Sequence, residues 1–162
     1  MSIPRTGLGP RAGIVGTWNA RWTQVPKSNA YTISHGALPL SADRVDVLAA
    51  WHTIDELDVC HVITENAHVK FDDGYLARWS MCGTCRVDLI GEKLRVDVAY
   101  QTARLTTMRG TPSAGLLAYT DKTLSMQARK SSWSIVSLTN SYRIDQFSAY
   151  DKKIHLALLT RM

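Results

Sequence analysis

The feature that most restricts this chain is a two-residue hydropathy period. Ile14, Gly16, Trp18, Ala20, Trp22 and Gln24 alternate with Val15, Thr17, Asn19, Arg21 and Thr23. Side chains of an extended strand point alternately to opposite faces, so this pattern builds a half-buried strand rather than one face of a helix. The period returns at 94–101, where Leu94, Val96, Val98 and Tyr100 form one face and Lys93, Arg95, Asp97 and Gln101 the other. The same reading makes strands of 57–64, 67–71, 75–81, 85–90, 116–126, 133–144 and 154–161, with turns at Asp72-Asp73-Gly74, Gly91-Glu92-Lys93 and Tyr150-Asp151-Lys152-Lys153. Segment 30–34 is a candidate to pair back on the first strand. In 41–51, Ser41 offers a helix cap, but Val45, Val47, Ala49 and Trp51 alternate, and the strand reading is preferred. The polar stretch 104–115, broken by Gly110, Pro112 and Gly115, is the longest loop expected and a candidate lid. About eight to ten sequential strands must hide or remove their edges, so the fold expected is all-β, an antiparallel meander β-barrel with little helix.

A chain of 162 residues, 45% apolar and 20% charged, suits one domain. Residues 1–12 are expected to form a flexible N-terminal arm and 13–162 a single barrel domain. No apolar run approaches the roughly 18 residues of a membrane span, and the opening residues lack the apolar core of a secretory leader. Together with an odd cysteine count of 3, this points to a cytoplasmic protein without a disulfide framework. Nineteen Lys and Arg against fourteen Asp and Glu give +5, which favours anionic partners. The charges are scattered, however, with Arg129-Lys130 and Lys152-Lys153 the only adjacent basic pairs, so nucleic acid stands as the lesser expectation. The Gly-rich phosphate loops, nucleophile elbow and metalloprotease helix motif are all absent from the sequence, which speaks against nucleotide-dependent and metalloprotease chemistry.

Gly16-Thr17-Trp18 on the first strand and Arg161 on the last resemble the calycin superfamily, the lipocalins and their barrel relatives. The resemblance implies that Trp18 crosses the closed end of the barrel with the Arg161 guanidinium over its face. It also implies a small apolar molecule in the mouth, and a few barrels of this kind perform cyclisations or isomerisations. Tyr119-Thr120-Asp121 lies about where lipocalins carry a Thr-Asp-Tyr turn, with Lys122 in place of the tyrosine.

Candidate chemistry is spread over several strands. His61 shares its face with Ile63 and Glu65, and a histidine and a carboxylate entering an apolar interior suit acid–base work. Tyr100 and Tyr142 complete the catalytic candidates. Tyr75, Trp79, Tyr100 and Trp133 are the candidates to line a ligand pocket, since aromatic faces give apolar contact and phenols orient polar groups. Core packing explains the same aromatics equally well. Cys82-Gly83-Thr84-Cys85, with Cys60 and His61 upstream and His52 and His68 nearby in sequence, has the residue types of a tetrahedral zinc site. A zinc ribbon needs two paired knuckles and this chain offers one, so buried free thiols are the competing reading.

The function expected is binding of a small hydrophobic organic molecule in an aromatic-lined barrel, without a cofactor, and with cofactor-free cyclisation, isomerisation or elimination as its catalytic extension. Two other readings stay open: a basic structural or nucleic-acid-associated β protein of the small viral coat or suppressor type, which would self-assemble as a homo-oligomer, and a zinc-stabilised binding module. If Trp18 closes one end, any site is expected at the opposite end, near 104–115.

Overall fold

The computed structural model describes residues 12–23, 45–57, 60–148 and 153–162. Eight strands run in sequence order: β1 (Gly16–Thr23), β2 (Val45–Leu57), β3 (Cys60–Phe71), β4 (Leu76–Ile90), β5 (Lys93–Arg109), β6 (Thr123–Leu138), β7 (Tyr142–Ser148) and β8 (Ile154–Arg161). Each pairs antiparallel with the next, and β8 returns to β1, so the sheet is a closed meander barrel. Closure removes every edge, as the strand-rich sequence requires. The starts of β1, β3, β5 and β7 and the ends of β2, β4, β6 and β8 lie at one rim, with the 3-10 turn Ala12–Ile14 beside β1. The other rim carries the β3–β4 and β5–β6 connections.

The strands are longer than the sequence suggests. Segments 75–81 and 85–90 are one strand, β4, because the 82–85 link keeps strict alternation, with Met81, Gly83, Cys85 and Val87 all buried. Gly83 permits this: a Cβ there would lie 2.2 Å from the Ala99 carbonyl oxygen of β5. Half of the expected 104–115 loop belongs to β5, which runs to Arg109. The polar residues that suggested a loop are the outward half of a long two-faced strand. The strand expected over 116–126 starts later, because Ala114–Leu117 is a single helical turn, α1, and β6 begins at Thr123. Segment 133–144 divides at a turn held by Thr139, whose hydroxyl accepts from the Ser141 and Tyr142 amides, so β6 ends at Leu138 and β7 starts at Tyr142. Segment 57–64 likewise spans the end of β2 and the start of β3. The pairing expected for 30–34, the arm before residue 12 and the turn at 150–152 lie outside the described residues.

The core is the barrel interior. Ile54, Ile63, Ala67, Val69, Ala77, Leu94, Val96, Leu105, Ile135 and Leu159 are buried there with Trp18, Trp79 and Tyr100. Bulges decide which residues enter. In β2 the register slips between Val47 and Ala49, and Leu48 is pushed out to 59% exposure. Beyond that bulge the parity reverses: Ala50, His52 and Ile54 face in, and Trp51 faces out against His68, ring centroids 4.9 Å apart. The face expected from Val45, Val47, Ala49 and Trp51 is therefore broken halfway. A second slip at Gln101 and a third at Met108 bend β5 in the same way.

Candidate functional site

Trp18 is fully buried and its indole Nε1 donates to the Ile14 carbonyl at 2.8 Å. The Arg161 guanidinium lies over the ring, 4.4 Å from its centroid. It is fixed there by three main-chain acceptors: Nη1 donates to Val15 O at 2.7 Å, Nη2 to Gly13 O at 2.7 Å and Nε to Asn140 O at 2.9 Å. Gly16 makes the approach possible, because its φ is +129° and a Cβ there would stand 2.6 Å from Arg161 Nη1. The Gly-X-Trp pattern is thus a local device in which the missing side chain admits the arginine that covers the tryptophan.

A second arginine reaches the same ring from within the barrel. Arg143, on the inward face of β7, is fully buried with its guanidinium carbon 5.1 Å from the Trp18 centroid. Its Nη2 donates to Asp145 Oδ2 at 2.7 Å, and Asp145 is equally buried. The same nitrogen hydrogen-bonds to Nε2 of His52. A guanidinium has no lone pair to offer, so Nε2 accepts and His52 carries its proton on Nδ1. Nε and Nη1 of Arg143 are buried and have no hydrogen-bond acceptor among the described residues. That leaves three N–H groups of the fork directed into the interior.

The barrel register gathers further polar groups around this pair. His52 stands opposite Trp18 on one side and opposite Glu65 on the other. Directly opposed residues place their Cβ atoms about 4.5–5.5 Å apart. Glu65 is 3% exposed, and the neighbouring positions on the adjacent strands are Met81 and Ala103. Trp133 of β6 brings its ring to 6.0 Å from that of His52. Tyr100 of β5 is fully buried. Four strands therefore send His52, Glu65, Tyr100, Arg143 and Asp145 inward. Each buried ion costs several kcal/mol of desolvation, roughly, and such investment is characteristic of sites rather than of cores.

Of the aromatic residues expected to line a pocket, Tyr75, Trp79, Tyr100 and Trp133 are all buried. Tyr75 sits at the far rim, stacked on Phe71 at 5.4 Å and hydrogen-bonded through its hydroxyl to Thr107 at 2.9 Å. The expected catalytic set is only half assembled. Glu65 and Tyr100 are inside. His61 shares the inward parity of Glu65 but lies four residues away, about 13 Å along the strand, opposite Glu56 and Cys85. Tyr142 is 41% exposed on the outer face of β7. The cysteine pair is divided by the sheet: Cys85 is buried inside, whereas Cys82 lies on the outer face beside the Thr64 hydroxyl, 3.9 Å from its sulfur. Residues three apart in a straight strand point to opposite faces, and a zinc knuckle needs a turn that β4 lacks. The Cys60 side chain lies outside the described residues, and no group of three metal-binding side chains occurs among those described.

Arg143 and Asp145 escaped the sequence reading, and His52 entered it only as a neighbour of the cysteines, not as an interior residue. For His52 the cause is the bulge at Leu48, which inverts the face. For Arg143 and Asp145 it is the pattern Tyr142-Arg143-Ile144-Asp145-Gln146-Phe147, whose more polar parity is the buried one. The position of the cluster also differs from expectation: it rests against Trp18, near the closed end, not beside 104–115. At the opposite rim the connection after β5 is tied down instead. Asp121 accepts from the Thr107 amide and hydroxyl, both at 3.1 Å, and Thr120 donates to Leu116 O at 2.9 Å.

The molecule is a closed eight-stranded antiparallel barrel, compatible with a calycin-like fold, with a charged cluster against its tryptophan floor. No protein-family model matches the chain, and no curated protein matches it. No helix among the described residues is long and apolar enough to cross a membrane.

Proposed function

We propose that this chain is a calycin-type barrel that takes a small, largely apolar organic molecule into its interior and holds an oxygen function of that molecule against Arg143. The observation that carries the reading is the buried guanidinium, bound to His52 and Asp145 through one nitrogen while its remaining N–H groups have no acceptor among the described residues. Donors buried in this way cost free energy until an acceptor reaches them. Trp79, Tyr100 and Trp133 supply apolar walls, and no cofactor enters the scheme.

Titration with 1-anilinonaphthalene-8-sulfonate, an apolar probe with an anionic oxygen group, tests it. The folded protein is expected to enhance the probe's emission at micromolar concentrations. Arg143→Met with Asp145→Leu, which leaves no buried carboxylate without its counter-ion, is expected to weaken binding about ten- to a hundredfold, the loss of charge-assisted hydrogen bonds, while near-ultraviolet circular dichroism stays native. An undiminished affinity in that variant would remove Arg143 from the reading. Absence of binding to the wild-type protein would remove the reading itself.

A catalytic extension is favoured by the register that sets Glu65 directly opposite His52. In the isomerisation of a β,γ-unsaturated ketone, the Glu65 carboxylate takes a proton from the carbon between the carbonyl and the double bond, the Arg143 N–H groups stabilise the resulting dienolate oxygen, and the proton returns at the γ-carbon to give the conjugated ketone. Deuterium exchange of 2-decanone in heavy water, followed by NMR, is expected with the wild-type protein and absent with Glu65→Gln.

A further inference from the structure

The fold gathers basic residues that the sequence scatters. On the outer surface of β2 to β5, toward the rim that carries the β3–β4 turn, three cross-strand rows lie side by side. Trp51, Asn66, Ser80 and Arg104 make one, Ala49, His68, Arg78 and Thr106 the next, and Asp46, Lys70, Leu76 and Arg109 the last. Lys70, Arg78, Arg104 and Arg109 are all exposed, and none makes an ion pair among the described residues. Strands β4 and β5 behave differently nearer the closed end: there Arg86 pairs with Asp88 at 2.7 Å and Arg95 with Asp97 at 3.0 Å. Asp46 is the sole carboxylate within the three rows. The rows also hold an aromatic pair, Trp51 and His68, set edge to face, and an amide–hydroxyl pair in which Ser80 donates to Asn66 at 2.8 Å.

We infer that this face binds single-stranded nucleic acid. Unpaired cations on adjacent strands match a phosphate backbone, and the Trp51 ring on the flanking strand beside them offers a stacking platform to a base. With no recognition helix among the described residues, the face is suited to unpaired bases more than to a duplex groove. An anionic bilayer is the less suited occupant, because the turn that bounds the face at the rim carries Asp72 and Asp73, both exposed, where a membrane plane would press. The inference is independent of what the interior holds.

Fluorescence polarisation of a labelled oligothymidylate of about 15 nucleotides, at about 50 mM salt with the full chain, is the test. Four phosphate contacts give a log–log salt slope of about −2.8, so raising salt fourfold is expected to weaken binding about fiftyfold. Arg78→Gln with Arg104→Gln is expected to reduce the slope by about 1.4. Trp51→Leu is expected to weaken binding about tenfold, and all these variants to melt like the wild type. Arg86→Gln with Arg95→Gln serves as the matched control and is expected to bind almost normally. No binding at low salt overturns the inference. So does an equal loss in the control, which would reduce the effect to net charge, and so does capture by phosphatidylserine vesicles without capture of the oligonucleotide.

Discussion

Among the described residues, the pattern Arg-X-Asp occurs on three strands with opposite outcomes. Arg86-Val87-Asp88 of β4 and Arg95-Val96-Asp97 of β5 place their ion pairs on the outside, at 2.7 and 3.0 Å, with the arginine side chains 78% and 51% exposed. Arg143-Ile144-Asp145 of β7 closes the same pair at 2.7 Å with both side chains fully buried. The backbone geometry that joins them is shared, since residues two apart lie on one face of a strand. Only the face differs. Outside, water screens the charges and the pair contributes little. Inside, the ions are stripped of water and depend on each other, and Arg143 also bonds to His52.

That contrast is broken or sharpened most strongly by Asp145→Ala. Removing the carboxylate leaves the Arg143 guanidinium buried without its counter-ion, and the expected loss is about 3–5 kcal/mol in urea denaturation. Replacing both members, Arg143→Met with Asp145→Leu, is expected to return stability to within about 1 kcal/mol of the wild type or above it, because an apolar pair of similar volume avoids the desolvation altogether. A double variant as weak as the single one would show that the pair holds the barrel together and is no reserve for a ligand.

Arg161 sharpens the comparison from another side, because it touches the same indole as Arg143 yet spends its N–H groups on the carbonyls of Gly13, Val15 and Asn140. It fastens the start of β1, the end of β8 and the β6–β7 turn across the floor. Arg161→Ala is expected to lower stability by about 2–3 kcal/mol, less than three charge-assisted bonds would suggest, since the freed carbonyls are near water. Probe binding by the interior is expected to survive. Gly16→Ala strikes the same fastening through backbone strain at φ +129° and contact with Arg161 Nη1; about 1–3 kcal/mol is expected, measured by the same denaturation.

The barrel was legible because alternation survives most local accidents. Trp18, Val96 and Trp133 are buried where their parity places them, whereas β8 buries Ala157 and Leu159 and leaves the more apolar parity, with Ile154 66% exposed, outside; the floor contact between Trp18 and Arg161 follows the pattern that prompted the calycin resemblance. The cluster was not legible, for two physical reasons. One extra residue at Leu48 carries His52 from the outer face to the inner, and a bulge leaves no clear mark in composition. In β7 the charged parity is the buried one, against the transfer free energies on which such reading rests. Strand ends misled in another way: 104–109 is polar because it faces water, not because it is a loop.

The smallest effect expected is the one that gives the comparison its zero. Asp97→Ala removes the partner of Arg95 at the same spacing, on the neighbouring strand to Arg86-Val87-Asp88, and with the intervening Val96 fully buried as an anchor. If the face alone distinguishes these pairs, the loss stays below about 0.5 kcal/mol and shrinks further in 1 M salt, where exposed charges are screened within roughly 3 Å. Asp145→Ala should keep its full penalty in the same salt, because ions do not enter the barrel wall. A loss of several kcal/mol for Asp97→Ala would mean that the pairs stabilise the strand itself, and burial would then cease to explain why β7 differs.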